Sequence, residues 1–459
     1  MTRWAVSELP KGWCSAEIGD LCELINGRAF KPQEWSDVGL PIIRIQNLNN
    51  RNASFNHFAG MLSEKHLIKK GDLLFAWSGT PGTSFGAHVW HGNDAALNQH
   101  IFKVDFDKAS INRNFFLHAI NQKLDELIGA AQGGVGLRHV TKGTFEKTEI
   151  SFPPLAEQAR IAQALDGLLA QVDTLKARLD ALPALIKRFR QSVLSAAVSG
   201  QLTEEWRGNV EYVETDSQIS IPNSWTACTI GDVAEVKGGK RLPKGEELTS
   251  ENTGYPYIRA GQLKDGTVSV DGQLFVPEHV YSQISRYIVS AGDVYVTIVG
   301  ACIGDAGVIP PRCNGFNLTE NAAKICDFKL PIISEYLAFW MRSQHLQQLI
   351  KHEIKSGAQG KLALKRIKEL PFPCPSCEEQ TEIVRRVEQL FTFADQLEAK
   401  VATAQTRIDR LTQSILAKAF RGELVPQDPA DEPASVLLQR IQTQRANALK
   451  AKRGRKALA

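Results

Sequence analysis

The sequence predicts a mixed α/β protein in which one plan is used twice. A globular part of short strands and helices precedes a long helix, the pair repeats, and the two long helices form an antiparallel coiled coil. Three observations predict this. Short motifs recur in the same order at a slowly drifting offset, two segments keep a heptad spacing of apolar residues, and the stretches between them mix brief β-like runs with helical ones. At 459 residues the chain exceeds what one core organises, so several domains are expected on size alone.

The repeat is read first. Leu9-Pro-Lys-Gly-Trp13 returns as Ile221-Pro-Asn-Ser-Trp225, and Ile18-Gly-Asp20 as Ile230-Gly-Asp232. Pro41-Ile-Ile-Arg44 matches Pro256-Tyr-Ile-Arg259, Gly71-Asp-Leu-Leu74 matches Gly292-Asp-Val-Tyr295, and Leu97-Asn-Gln99 matches Leu318-Thr-Glu320. The helical parts agree more closely: Glu157 to Leu202 aligns without a gap on Glu379 to Leu424. A shared scaffold with two diverged globular parts is the implication.

The long helices follow from their seams. In the first, Ile161, Leu165, Leu168, Val172, Leu175, Leu179, Leu182, Ile186, Phe189 and Val193 alternate steps of four and three. In the second, Ile383, Val387, Leu390, Ala394, Leu397, Val401, Ala404, Ile408, Leu411 and Ile415 do the same. Ser376 with Glu379 makes a capping box, Pro154 suits a first helical turn, and Gly200 and Gly422 sit where C-terminal cap glycines belong. Pro183 falls inside the first seam and should kink it. Each helix is roughly 65 Å long at 1.5 Å per residue. One chain with two similar seams most simply pairs them with each other. An antiparallel pairing leaves room for one globular part at each end.

In the globular parts, Pro41–Ile45, Asp72–Trp77, His100–Val104 and Glu149–Phe152 read as strands, as do Tyr257–Arg259, Asp293–Val299 and Ala323–Cys326. Asn114–Ile128 and Ser334–Ile350 read as helices with apolar stripes that belong to a core.

Composition narrows function by exclusion. A net charge of +4 and a hydrophobic fraction of 43% are ordinary for a soluble protein and do not single out nucleic acid. No stretch approaches the ~20 apolar residues of a membrane span, and Met1-Thr-Arg-Trp4 does not open a signal peptide, so a cytoplasmic location is expected. The eight cysteines have no framework spacing, and Cys374-x-x-Cys377 lacks the second pair a zinc ribbon needs, so no metal is expected. Gly133-Gly-Val-Gly136 is not a dinucleotide fingerprint, and Gly360-Lys361 is not a P-loop. Phe152-Pro-Pro-Leu155 and Ile309-Pro-Pro-Arg312 are not the Asn/Asp-Pro-Pro-aromatic tetrapeptide of an amino-methyltransferase. No catalytic residue is assigned.

What remains is polar, loop-borne and basic. Arg44, Gln46, Asn47, Asn49 and Arg51 are dense in the side chains that contact guanine and adenine edges. Ser78, Asn98, Gln99 and His100 lie in further polar loops, and Arg138 closes a glycine-rich loop able to approach phosphate. The second half offers Lys240, Arg241, Arg259, Gln262, Lys355, Gln359 and Lys361. Taken together these are the candidate DNA-binding residues.

The order of motifs resembles the specificity subunits of type I restriction–modification enzymes, most closely their enteric IA branch. Carrying the resemblance are Leu9-Pro-Lys-Gly-Trp13, Phe152-Pro-Pro-Leu-Ala-Glu-Gln158, Lys187-Arg-Phe-Arg-Gln-Ser-Val-Leu194, Gly200-Gln-Leu-Thr-Glu-Glu-Trp-Arg207, Glu379-Gln380 and Leu411-Thr-Gln-Ser-Ile-Leu-Ala-Lys-Ala-Phe-Arg-Gly-Glu-Leu424. It implies two target-recognition domains, each reading one half of a split, asymmetric DNA site. Residues 1–153 and 221–375 would be those domains, 154–202 and 376–424 the helical spacers, 203–220 a linker, and 425–459 a basic disordered tail. It further implies two modification (methyltransferase) subunits carrying S-adenosylmethionine and two motor–nuclease subunits using ATP and Mg, with no cofactor on this chain. The chain departs from the pattern after Gly422-Glu-Leu424, where Val-Pro-Gln-Asp replaces Thr-Glu-Glu-Trp. A DNA-binding subunit of a related bifunctional restriction enzyme, or a coiled-coil scaffold without DNA affinity, are the alternatives.

Overall fold

The computed structural model describes residues 9–50, 52–79, 85–129, 138–215, 219–356 and 360–457. They form two compact units, Met1–Arg178 with Gln405–Ala459, and Leu179–Ala404.

Each unit contains an antiparallel four-stranded sheet of the same topology. In the first the order is Glu23–Asn26, Ile101–Asp105, Leu73–Ala76, Gly86–Val89; in the second it is Glu235–Gly238, Ala322–Cys326, Val294–Thr297, Ala306–Val308. The second strand of each sheet carries a lysine paired with an aspartate, Lys103 with Asp72 and Lys324 with Asp293, both at 2.7 Å. A second sheet in each unit, four-stranded in the first and three-stranded in the second, is built on a parallel pair, Leu40–Ile43 beside Ala95–Leu97 and Pro256–Ile258 beside Asn317–Leu318. Cys14–Glu17 pairs with Glu149–Phe152, and Thr226–Thr229 with Pro371–Cys374, so each globular part closes on its own first strand. The two expected helices are each broken in two, Arg113–Gln122 then Leu124–Gly129, and Ser334–Arg342 then Gln344–Ser356. Ser343 is extended between the last pair and accepts a hydrogen bond from the Leu346 amide.

The long helices span Leu155–Val198, continuing through Pro183, and Cys377–Phe420. Their antiparallel direction is visible within each unit. In the first, Ile161 and Leu165 share a core with Ile415, Ala419 and Phe420, while Lys176 pairs with Asp409. In the second, Arg190 pairs with Asp395 and Glu398, while Val193 and Val198 share a core with Ile383 and Val387. Val172 and Val401 are buried as well. Leu168, Leu179, Leu390, Leu397 and Ile408 are half-buried. Three seam positions are corrected: Leu175, Phe189 and Leu411 are exposed, at 47%, 36% and 47%. A helix of 3.6 residues per turn drifts about 20° per heptad from a 3.5 repeat, which carries such positions off the contact row.

The repeated motifs are explained by one locking arrangement made twice. Trp13 Nε1 donates to Glu157 Oε2 at 3.0 Å, and Trp225 Nε1 to Glu379 Oε2 at 2.9 Å. The next residue of each helix accepts from the backbone amide of the N-cap residue of a neighbouring helix: Asn112 to Gln158 and Ile333 to Gln380, both 2.9 Å. Gly200 and Gly422 have φ of +81° and +72°, and a Cβ on either would lie 2.5 Å from the ring of Pro222 or Pro10. Glycine is therefore required at both helix ends.

The two locks differ in one respect. Glu379 also accepts from Thr203 Oγ1 at 2.7 Å and from Arg207 at 2.6 Å. Glu157, though buried, has one oxygen with no partner among the described residues. Burial pushes its carboxyl above the usual range, opposed by the Trp13 bond and by Arg160. Its contribution to stability is thus fullest below the unfolded carboxyl pKa and is lost as pH rises through the folded value. Glu157→Gln should gain on the parent in urea unfolding as pH rises from about 4.5 to 7. A constant difference across that range would show the carboxylate to be adequately solvated.

The expected disordered tail is corrected. Residues Ala434–Ala457 are helical, with Ala434, Leu437 and Ile441 buried in the first unit. The Ala434 amide donates to Gly12 O at 2.8 Å, and Arg160 pairs with Asp431 at 2.7 Å. The segment that departs from the repeat after Leu424 is therefore the lead-in to an anchored helix.

Candidate nucleic-acid interface

Parallel neighbours end at a common edge, and this places the candidate loops. Ile43 is in register with Leu97, so Arg44 and Asn98 leave the first unit's parallel pair together. Arg28 joins them, its amide donating to Leu97 O at 2.9 Å. Gly27 makes that approach possible, because a Cβ there would meet Asn98 O at 1.9 Å. The second unit repeats the construction: Ile258 is in register with Leu318, Lys240 N donates to Leu318 O at 2.8 Å, and a Cβ on Gly239 would meet Thr319 O at 2.1 Å. Each unit thus presents a basic residue, an arginine and a polar turn at one sheet edge. Arg28 was not among the candidates read from sequence. Its signal was the Gly27-Arg28 pair, equivalent to Gly239-Lys240.

Within the first edge, Gln46 is exposed. Arg44 is half-buried, donates to Asn56 Oδ1 at 3.2 Å and lies over the Trp35 ring. Arg28 is held by Glu34 and lies against Phe30 and Phe58, each centroid 4.9 Å away. Asn47 and Gln262 are corrections. Asn47 is buried, accepts from the Arg44 amide and donates to Ala53 O and Ser54 O. Gln262, also buried, accepts from the Arg259 amide and donates to Ser269 O. Both amides are spent on shaping the loop that follows the arginine. Arg259 donates to Gly272 O at 2.7 Å, and Lys240 and Arg241 are exposed.

A second group gathers around Trp77. Ser78–Gly79 pairs with Arg138–His139, and the Trp77 amide donates to His100 O. Ser78 is buried there, a correction to its assignment as a contact residue, because it serves the strand pair. The Trp77 ring stacks on Phe102 and neighbours those of His100 and His139 at 5.4 and 5.9 Å. Burial first, and then His139, hold the His100 imidazole below its ordinary pKa. Gln99 and His139 are exposed and Asn98 half-buried. Lys361 is exposed in the second unit. Arg51 and Gln359, and the side chains of Asn49, Arg138 and Lys355, lie outside the described residues.

Among the described residues no group of His, Cys, Asp or Glu is arranged to hold a metal ion. No described helix is long and apolar enough to cross a membrane.

Two repeated α/β domains on paired antiparallel helices, each with a polar and basic edge, define a modular recognition protein. The chain matches the family model described as type I restriction modification DNA specificity domain at residues 10–184 and again at 222–404, and it belongs to that family. It is 36% identical to the Escherichia coli type I restriction enzyme EcoBI specificity subunit, over 95% of this chain and 92% of the relative. To the EcoKI specificity subunit of Escherichia coli strain K12 it is 30% identical, over 96% of this chain and 97% of the relative. The crystal structure of the HsdS subunit from Thermoanaerobacter tengcongensis shares the fold with TM-score 0.58 at 18% identity, covering 91% of this chain and 99% of that one. A chain from a structure of type I restriction–modification complex assembly and conformational transition gives TM-score 0.67 at 17% identity, covering 91% and 100%.

Proposed function

We propose that this chain is the non-catalytic, sequence-reading subunit of a type I restriction–modification complex, directing methylation and cleavage carried out by its partners. It reads a bipartite, asymmetric DNA site, one half per repeat. The observation that carries this reading is the pair of sheet edges with one backbone plan and different side chains. Arg28, Gln46 and Asn98 belong to one edge; Lys240, Gly261 and Thr319 stand at the equivalent places in the other. A shared backbone plan positions both edges, while unlike donor and acceptor sets select unlike bases.

Two modification subunits and two motor–nuclease subunits complete the assembly in the cytoplasm. S-adenosylmethionine, ATP and Mg are bound by those subunits. Methylome sequencing of a host with and without this gene tests the reading. A single split motif should lose its methylation when the gene is removed; an unchanged methylome overturns the assignment.

Two neighbouring substitutions separate reading from shaping. Gln46→Ala removes an exposed amide, so stability should stay within about 0.5 kcal/mol while discrimination at one half-site falls by about 1–3 kcal/mol. Asn47→Ala strands the Arg44 amide and two carbonyls, and should cost about 1–3 kcal/mol of stability. Urea unfolding and competition binding on the same pair of variants check both halves of this contrast.

A further inference from the structure

Arg286 and Lys65 are absent from the residues read off the sequence, yet their placement repeats. In the second unit Ile288 pairs with Asn317, and in the first Leu67 pairs with Ala96. Asn317 and Ala96 are the strand residues in register with Tyr257 and Ile42. Arg286-Tyr287 and Lys65-His66 therefore stand at equivalent places, each just ahead of the residue that pairs there. In the second unit Leu318 ties this corner to the reading edge. Its amide donates to Tyr287 O at 2.9 Å, and its carbonyl accepts from the Lys240 amide.

The corner of the second unit is short of negative charge. Lys240 Nζ and the Arg286 guanidinium both lie against the Tyr287 ring, 5.9 and 5.1 Å from its centroid. Arg286 Nη2 also donates to the Tyr287 hydroxyl at 3.0 Å. Both cations are exposed, and neither pairs with a carboxylate among the described residues. Glu320 at this edge accepts from the Thr319 and Tyr257 hydroxyls instead. A cavity of about 350 Å³ opens here, lined by Lys237, Arg286, Tyr287, Leu318 and Lys324 among others, and none of its described lining residues is acidic. Asp327 and Asp293 answer Lys237 and Lys324, so the uncompensated charge belongs to Arg286 and Lys240. Two like charges against one ring repel, and an anion between them would offset that.

The first unit has Arg28 and Lys65 in the same two places, with His66 for Tyr287. Burial first, and then Lys65 and Arg28, hold the His66 imidazole below its ordinary pKa, as expected with both cations beside it. Each corner thus keeps two cations but exchanges their identity, Lys240 for Arg28 and Arg286 for Lys65. Arginine and lysine are not interchangeable where a planar fork reads a base edge, but they serve alike as charges. The reading positions instead change chemistry, from Gln46 to Gly261 and from Asn98 to Thr319.

We propose that each corner is a seat for a backbone phosphate of duplex DNA, made in the second unit by Lys240, Arg286 and the Tyr287 hydroxyl, and that it fixes the register of the bases against the neighbouring edge. This rests on the reading of the chain as a DNA-recognition subunit. Phosphate contacts position a protein on the duplex without carrying sequence information, which accounts for charge kept while identity is lost. Glu34 offsets Arg28 in the first unit, so the seat is tested in the second.

The test uses the complex reconstituted with its modification subunits. One variant carries Lys240→Gln and Arg286→Gln. A second carries Lys240→Arg and Arg286→Lys, the arrangement of the first unit. Affinity is measured from about 50 to 200 mM salt for a duplex bearing the target and for one with a scrambled half-site. The neutral variant should lose ~0.9 from the slope of log affinity against log salt on both duplexes, the value for one phosphate. Its preference for the target should be retained, the exchanged variant should behave as the parent, and both should unfold in urea with the parent. An unchanged slope overturns the seat. Saturable binding of inorganic phosphate by the parent alone, with the slope unchanged, would assign the cations to a free anion. Weakened binding of the modification subunits, with the slope unchanged, would assign them to a protein surface. Loss of preference at one half-site with no change of slope would make them base readers and likewise overturn the seat. Equal affinity of the parent for both duplexes would remove the sequence-reading assignment, while the slope comparison would still judge the seat.

Discussion

Replacing residues 1–153 with the corresponding domain of a relative that has a different target should change one half of the methylated motif and leave the other half intact. The fold supplies the reason. Cys14–Glu17 pairs with Glu149–Phe152, so the strand that enters the first globular part lies against the strand that leaves it. A cassette whose ends are paired is exchanged without re-routing the chain. Its attachment to the helix includes the Trp13–Glu157 bond and the bond from the Asn112 amide to Gln158, beside the bonds of Asn114 and His118 to Asp166 and a shared core. A donor domain that supplies the tryptophan and the N-cap residue's amide keeps both of the first two bonds. Each unit has its own core and its own parallel-pair edge, so on the proposed reading the half-site assigned to the first edge does not depend on the second unit. Each base pair that no longer fits the new edge costs about 1–3 kcal/mol of binding, and a half-site of several bases is then lost outright. Methylome sequencing of the exchanged strain reads the result. A change in both half-sites together would show that the domains do not read independently.

The long helices were legible because three independent signals agreed: heptad spacing, a capping box at Ser376, and glycines at 200 and 422. The repeat was legible for a physical reason now visible. Trp13, Gly200 and the Glu-Gln pair starting each helix are locking residues, and a lock built twice tolerates little change in either copy. The candidate contact residues were much less legible. Asn47 and Gln262 have the side-chain amides that suit base edges, but the same amides suit backbone capping, and composition cannot separate the two uses. Burial separates them. Arg28 was missed because its position depends on Gly27 passing beneath Asn98, a contact between segments some seventy residues apart in the chain. The terminal helix was missed because its basic end reads as solvated charge. Its anchor is a short row at Ala434, Leu437 and Ile441.

Arg207→Ala should produce the largest loss of stability of any substitution considered, about 3–5 kcal/mol. Arg207 and Glu379 pair at 2.6 Å, with 5% and 4% of their side chains exposed. The Arg207 guanidinium also donates to Gly200 O and to the Tyr212 hydroxyl, both 3.0 Å, and lies near the Tyr212 and Trp225 rings. One side chain thus joins the end of the first long helix, the start of the second, and the tryptophan of the lock. Truncating it leaves the Glu379 carboxylate buried with only Trp225 and Thr203 as donors, and an uncompensated buried charge is the costly part of breaking such a pair. The double variant Arg207→Ala with Glu379→Gln removes that charge, and should therefore recover part of the loss. Trp13→Phe in the other lock removes a single hydrogen bond from a carboxyl already short of partners, so about 1–3 kcal/mol is expected there. Denaturant unfolding of the three variants beside the parent gives the comparison. A cost below about 1 kcal/mol for Arg207→Ala would mean that water reaches Glu379, because only a solvated carboxylate loses its partner so cheaply.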